Sequence, residues 1–136
     1  MRPILLDTCA AIWISQNDSL TEEADRALRE ADTIAGAVVV SPITAWEIGV
    51  LVARGRIALA RDPAGWFQAL IDAGIELAPM PPAILVASSF LPGSALRDPA
   101  DRILAATARA MNYRLMTRDE RLLDYAAAGH LAAITC

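Results

Sequence analysis

Four acidic residues, Asp7, Glu47, Asp101 and Asp119, stand where the chain leaves an apolar strand or enters the helix that follows. Most of the chain separates the first from the last, so only a fold can gather them. Gathered, they repel: at ~4 Å and an effective dielectric near 20, one pair costs roughly 4 kcal/mol. Some of the carboxyls then stay protonated or splay apart unless a cation joins them. Hard divalent ions take oxygen ligands and relieve that repulsion, magnesium usually keeping several waters. An ion held there can activate water and stabilise in-line attack on a phosphodiester.

Each acid taken alone has a plainer reading. Asp7 is placed to N-cap a helix beginning near Thr8. Thr44-Ala45-Trp46-Glu47 matches a capping box, with the Glu reaching back to the Thr amide. Asp98-Pro99-Ala100-Asp101 reads as an N-cap, a proline at the first helical position and an acid in the first turn. Asp119, in Thr117-Arg118-Asp119-Glu120, suits a helix N-terminus in the same way. Helix starts that follow strands all lie at one edge of a parallel sheet, so the set points to chemistry at that edge.

The elements that must position these residues alternate. Ile4-Leu5-Leu6, Val38-Val39-Val40, residues 75–78, Arg114-Leu115-Met116-Thr117 and Ala132-Ala133-Ile134 read as short apolar strands. Helices are expected over 8–15, from Thr21, over 44–54 ending at Gly55, over 62–73, from Pro81-Pro82, from Asp98-Pro99 to Met111, and over 119–128 before Gly129. Leu91-Pro92-Gly93-Ser94 reads as a loop. The alternation predicts an α/β fold, a three-layer sandwich about a mainly parallel sheet, in one domain over 1–136.

The 136 residues include 55% hydrophobic ones, with a mean hydropathy of +0.37. That excess suggests surfaces covered by other chains. No apolar run approaches the ~20 residues of a membrane span. The opening Met1-Arg2-Pro3-Ile4-Leu5-Leu6-Asp7 is too short and too soon charged for a signal peptide. Cys9 and Cys136 give neither a disulfide framework nor zinc spacing. A cytoplasmic location is expected. The net charge of −4 opposes a simple electrostatic nucleic-acid binder, but not an enzyme whose cations reverse the local sign. All twelve basic residues are arginine. Lacking lysine, and with Cys9 two residues after Asp7, the chain does not suit a phosphoryl-accepting aspartate.

The order Leu5-Leu6-Asp7-Thr8, Trp46-Glu47-Ile48, Arg97-Asp98-Pro99-Ala100-Asp101-Arg102 and Met116-Thr117-Arg118-Asp119 resembles the PIN domain. More narrowly it is similar to the VapC-type toxins of bacterial toxin–antitoxin pairs. The likeness extends to Ala53-Arg54-Gly55-Arg56 and Tyr125. It implies an α/β/α sandwich and an endoribonuclease dependent on magnesium or manganese. It also implies a cognate antitoxin, homodimers and toxin–antitoxin hetero-oligomers. Carried over by motif, the catalytic, metal-holding quartet is Asp7, Glu47, Asp101 and Asp119. Asp98, Thr117 and Thr8 support it, with Thr117 orienting a carboxylate or water. Leu96 and Ala100 stand where relatives often have a histidine and an aromatic, which touches substrate fit and not the quartet.

Arg97 and Arg118 flank the acids as candidate RNA contacts, and Arg102 less so. Trp13, Trp46 and Trp66 read as packing residues, Cys9 as a small buried one, and His130 as a surface one. The helices around Trp13, 21–31 and Val50-Leu51-Val52 are the expected partner surfaces. The alternative is a catalytically silent PIN-like module that only binds RNA or a partner; a degraded scaffold should have lost an acid, and all four are present.

Overall fold

The computed structural model describes residues 2–93 and 96–136, and its centre is a strand of only three residues, β1 (Ile4–Leu6), all completely buried. β2 (Val38–Val40) pairs with it on one side and β4 (Arg114–Thr117) on the other. β3 (Glu76–Leu77) and β5 (Ala132–Thr135) form the edges, giving the order β3-β2-β1-β4-β5. Every pairing is parallel, so the expected mainly parallel sheet is wholly parallel. Continuous aliphatic runs suit strands covered on both faces.

Alternate side chains divide the core in two. Ile4, Leu6, Val40, Met116 and Ile134 face α1 (Thr8–Ser15), α2 (Glu22–Ala31), α3 (Pro42–Ala53) and α4 (Pro63–Asp72). Leu5, Val39 and Leu115 face α6 (Pro99–Met111) and α7 (Glu120–Ala127). The short α5 (Pro82–Ala87) packs against α6. Alanines at 24, 27 and 31 give α2 one small, buried stripe that lets it lie close to the sheet. Among the described residues, no helix is long and apolar enough to cross a membrane.

Several expectations shift. α3 begins at Pro42 with Ser41 as its N-cap, its hydroxyl accepting from Ile43 N at 3.1 Å, because a Ser-Pro start precedes the Thr44 signal. Thr44 is thus inside the helix and fully buried, and forms no capping box with Glu47. The strand expected over 75–78 shrinks to two exposed edge residues. Asp119 is the cap of α7 and not its first residue. Cys9, expected buried, is exposed. Ser94 of the expected loop lies outside the described residues.

Candidate active site

The sheet order places its switch point between β1 and β4: the chain moves outward through β2 and β3, then returns to the other side of β1. In open α/β sheets ligands collect at the carboxyl ends of strands at such a point. Asp7 follows β1 there, and Thr117 closes β4 there. α6 runs back from that edge with Asp98 and Asp101 at its start, and α7 with Asp119 as its cap. Glu47 lies in the second turn of α3, which also starts at this edge.

Capping and site-building are not rivals here. Asp7 Oδ1 accepts from Ala10 N at 2.7 Å, capping α1. Asp98 Oδ1 accepts from the Ala100 and Asp101 amides, and Asp119 Oδ1 from those of Arg121 and Leu122. Each cap is made by one carboxylate oxygen, which fixes the side chain and leaves the second oxygen uncommitted to the cap.

Two relays of buried hydroxyls hold the remaining geometry. The Asp119 amide donates to Thr117 Oγ1 at 3.0 Å, and Thr117 donates its proton to Asp7 Oδ2 at 2.5 Å. Thr8 donates to Glu47 Oε1 at 2.5 Å. A hydroxyl has a single proton, so the 3.2 Å contact between Thr8 and Thr44 has Thr44 as donor. Thr44, hidden in sequence inside an apparent capping box, is a member of the site that the motif reading missed. Its only signal is a polar residue, besides Glu47, on a mostly apolar helix.

The electrostatics show that the acids share one field. Asp101 is pushed up to about 7, by burial first and then by Asp98, Asp119, Glu47 and Asp7. Burial also raises Asp7, against the opposing bonds from Thr117 and Ala10, and Asp119 raises it further. Glu47 is raised by burial, with Asp98 and Asp7 adding to the effect and the Thr8 bond opposing it. Although Cys9 is exposed, its thiol is pushed up to about 11, by desolvation and then by Asp7, Glu47, Asp119 and Asp101. One sulfur therefore senses all four acids.

The donor set, all hard oxygens facing mutual repulsion, fits a hard divalent cation. Among the described residues, no three acid, His or Cys side chains are drawn tightly enough to hold an ion as they stand.

Arg118 is spent within the chain. Its guanidinium lies 3.7 Å from the centre of the Trp13 ring, and its Nε donates to the Cys136 carbonyl at 2.7 Å. It braces the Thr117–Asp119 turn against α1 and β5, and its charge lowers the Asp7 proton affinity. Arg102 ties Ser88 O at 2.8 Å and Leu96 O at 2.5 Å, holding the segment that leads into α6. Arg97 is exposed. Trp66 is buried and donates to Ser15 Oγ at 3.1 Å, whereas Trp46 is 60% exposed beside Glu47.

A parallel sandwich with acids at its switch point defines a class, and a family model described as the PIN domain matches residues 4–128. The chain belongs to the PIN domain family. It is 34% identical, over 92% of its length and 93% of the relative's, to Ribonuclease VapC22 of Mycobacterium tuberculosis. Its fold is similar to that in the crystal structure of VapBC2 from Rickettsia felis bound to a promoter DNA fragment. The TM-score there is 0.70 at 12% identity, covering 97% of each chain. It also resembles FitAcB from Neisseria gonorrhoeae, with a TM-score of 0.56 at 21% identity over 96% of this chain and 95% of that one.

Proposed function

We propose that this chain is the toxin of a toxin–antitoxin pair, an endoribonuclease that hydrolyses RNA phosphodiester bonds with a divalent cation, magnesium or manganese. The observation that carries the reading is the shared field of Asp7, Glu47, Asp101 and Asp119, four acids from separate segments at one sheet edge. The similarity to Ribonuclease VapC22 supports the RNA substrate.

In this reading the quartet holds the cation, and Asp98 adds charge from one turn away. Bound there, the cation supplies a water of lowered pKa and neutralises charge developing on the phosphoryl oxygens. Thr117 and Thr8 keep Asp7 and Glu47 in fixed rotamers, so little reorganisation accompanies substrate binding. Asp101, pushed up to about 7, must give up its proton before the site is fully charged.

The cognate antitoxin and a second copy of the chain cover the apolar surface in the cytoplasm. Ile14, Leu28 and Ala31 of the expected partner helices line a cleft of about 950 Å³ with Ile34, Ile71 and Leu77, away from the acids. A second exposed apolar group is Leu85, Val86 and Phe90 on and after α5. Val50, Leu51 and Val52 are half-buried and contribute less.

Purified, antitoxin-free protein should cleave RNA with manganese or magnesium and stop in EDTA. Asp7→Asn and Asp101→Asn should fold normally and lose about 100-fold in rate, the upper end expected for a disturbed metal site. Cleavage that survives complete metal stripping, or a fully active Asp101→Asn protein, overturns the reading.

A further inference from the structure

Arginines gather at the amino ends of β1 and β4, whereas Glu76 opens the edge strand β3 and its charge reaches Tyr113. Arg2 precedes β1, Arg114 opens β4, and Arg109 lies in the last turn of α6. Arg2, Arg109, Asn112, Tyr113 and His130 line a cleft of about 450 Å³ whose lining includes no Asp or Glu. Asn112 closes α6 in the left-handed conformation, φ 57°, and its Oδ1 accepts from Arg2 Nη1 at 3.2 Å. Arg109 Nη1 donates to the His130 carbonyl. Arg114 Nε donates to the Arg2 carbonyl at 3.2 Å, while its Nη2 is buried with no hydrogen-bond partner among the described residues.

The acceptors in these contacts are neutral oxygens, and each guanidinium has five N–H groups. The carbonyls ending α6 account for one nearby cation. Three, one with a buried orphan donor, exceed that need in a chain of net charge −4. Planar guanidinium forks match phosphate oxygens, and arginine binds them in bidentate fashion.

We propose that this cleft is a phosphate-binding site, at the end of the sheet opposite the carboxylates and independent of the nuclease reading. Arg2 and Arg109 bind the phosphate oxygens, with Arg114 adding charge from behind. A phosphodiester of an RNA strand and the phosphate of a free nucleotide present the same chemistry, and the probes below separate them.

His130 is the single histidine, so its imidazole Hε1 resonance is an unambiguous reporter at the wall of the cleft. The full chain in EDTA is titrated with inorganic phosphate, with adenosine monophosphate, and with a single-stranded RNA about 12 nucleotides long. The expected result is a saturable His130 shift that sodium chloride at equal ionic strength does not reproduce. Arg2→Gln/Arg109→Gln should abolish it; glutamine keeps an N–H for the Asn112 and His130 oxygens. Arg109→Lys, which keeps the charge but loses the planar fork, should keep a saturable shift at weaker affinity. A shift with phosphate or the nucleotide identifies a small ligand. A shift with RNA alone identifies a strand, and the salt slope of its affinity should then fall by about 0.7 for each arginine removed. No saturable shift with any probe, an equal shift in the double variant, or a lysine variant as inert as the glutamine one overturns the proposal.

Discussion

Thr117 illustrates how much of the site rests on single atoms. One buried hydroxyl accepts from the Asp119 amide and donates to Asp7, tying residues 112 positions apart in sequence. Thr117→Val keeps the shape and removes both bonds, leaving a buried amide and a carboxylate short of partners. It should cost about 1–3 kcal/mol of stability and reduce cleavage at saturating RNA more than it raises KM; chemical denaturation and steady-state kinetics check the two halves. A second consequence at this scale concerns pH. Asp7, Glu47 and Asp101 all hold protons more tightly than ordinary carboxyls, so the folded protein binds more protons than the unfolded chain. Stability of the cation-free protein must fall as pH rises from the ordinary carboxylate range to about 7. Melting temperature in EDTA should therefore be higher at pH 5 than at pH 8, and magnesium or Asp101→Asn should reduce the difference. A profile that rises with pH would contradict the shared field.

At the scale of elements, the alternating apolar and helical runs were enough to predict the sandwich, and α1, β2 and β4 fall where the sequence places them. The failures have local causes. Ser41-Pro42 and Thr44-x-x-Glu47 are both start signals, and the earlier one wins because its proline already has helical φ. β3 is an edge strand with Glu76 and Leu77 both exposed, so no burial pattern marks its bounds. The basic cleft was invisible because Arg2, Arg109 and Arg114 belong to no motif and meet only when β1 and β4 pair. Arg102, which the sequence offers as a weak RNA contact, is a strut: it ties the carbonyls of Ser88 and Leu96 to α6 beside Asp101. Two hydrogen bonds from a charged donor predict a loss of about 2–4 kcal/mol for Arg102→Ala, readable by urea denaturation. Activity should fall with it, since the entry to α6 sets Asp98 and Asp101.

For the whole molecule, the apolar excess in composition reappears as Trp46, Phe90, Val86 and Leu77 at the surface, each more than half exposed. Scattered apolar residues need no explanation, but Leu85, Val86 and Phe90 fall together. The isolated chain should run as a dimer by light scattering, and Val86→Glu/Phe90→Glu should shift it toward monomer while leaving its circular dichroism unchanged. A wild-type monomer across the micromolar range would remove that surface from the assembly and leave the carboxylate site untouched.

The three-residue β1 also has a meaning in time. It is the first strand made, yet one of its two neighbours, β4, begins only at Arg114. Asp7 and Thr117 can therefore meet only after most of the chain has left the ribosome. At about 5–20 residues per second, a growing chain spends several seconds without an assembled acidic edge. A message cut short before β4 would yield a fragment without the acidic edge; under the proposed toxin function, that same interval would let an antitoxin meet α1 and α2 before the edge is complete.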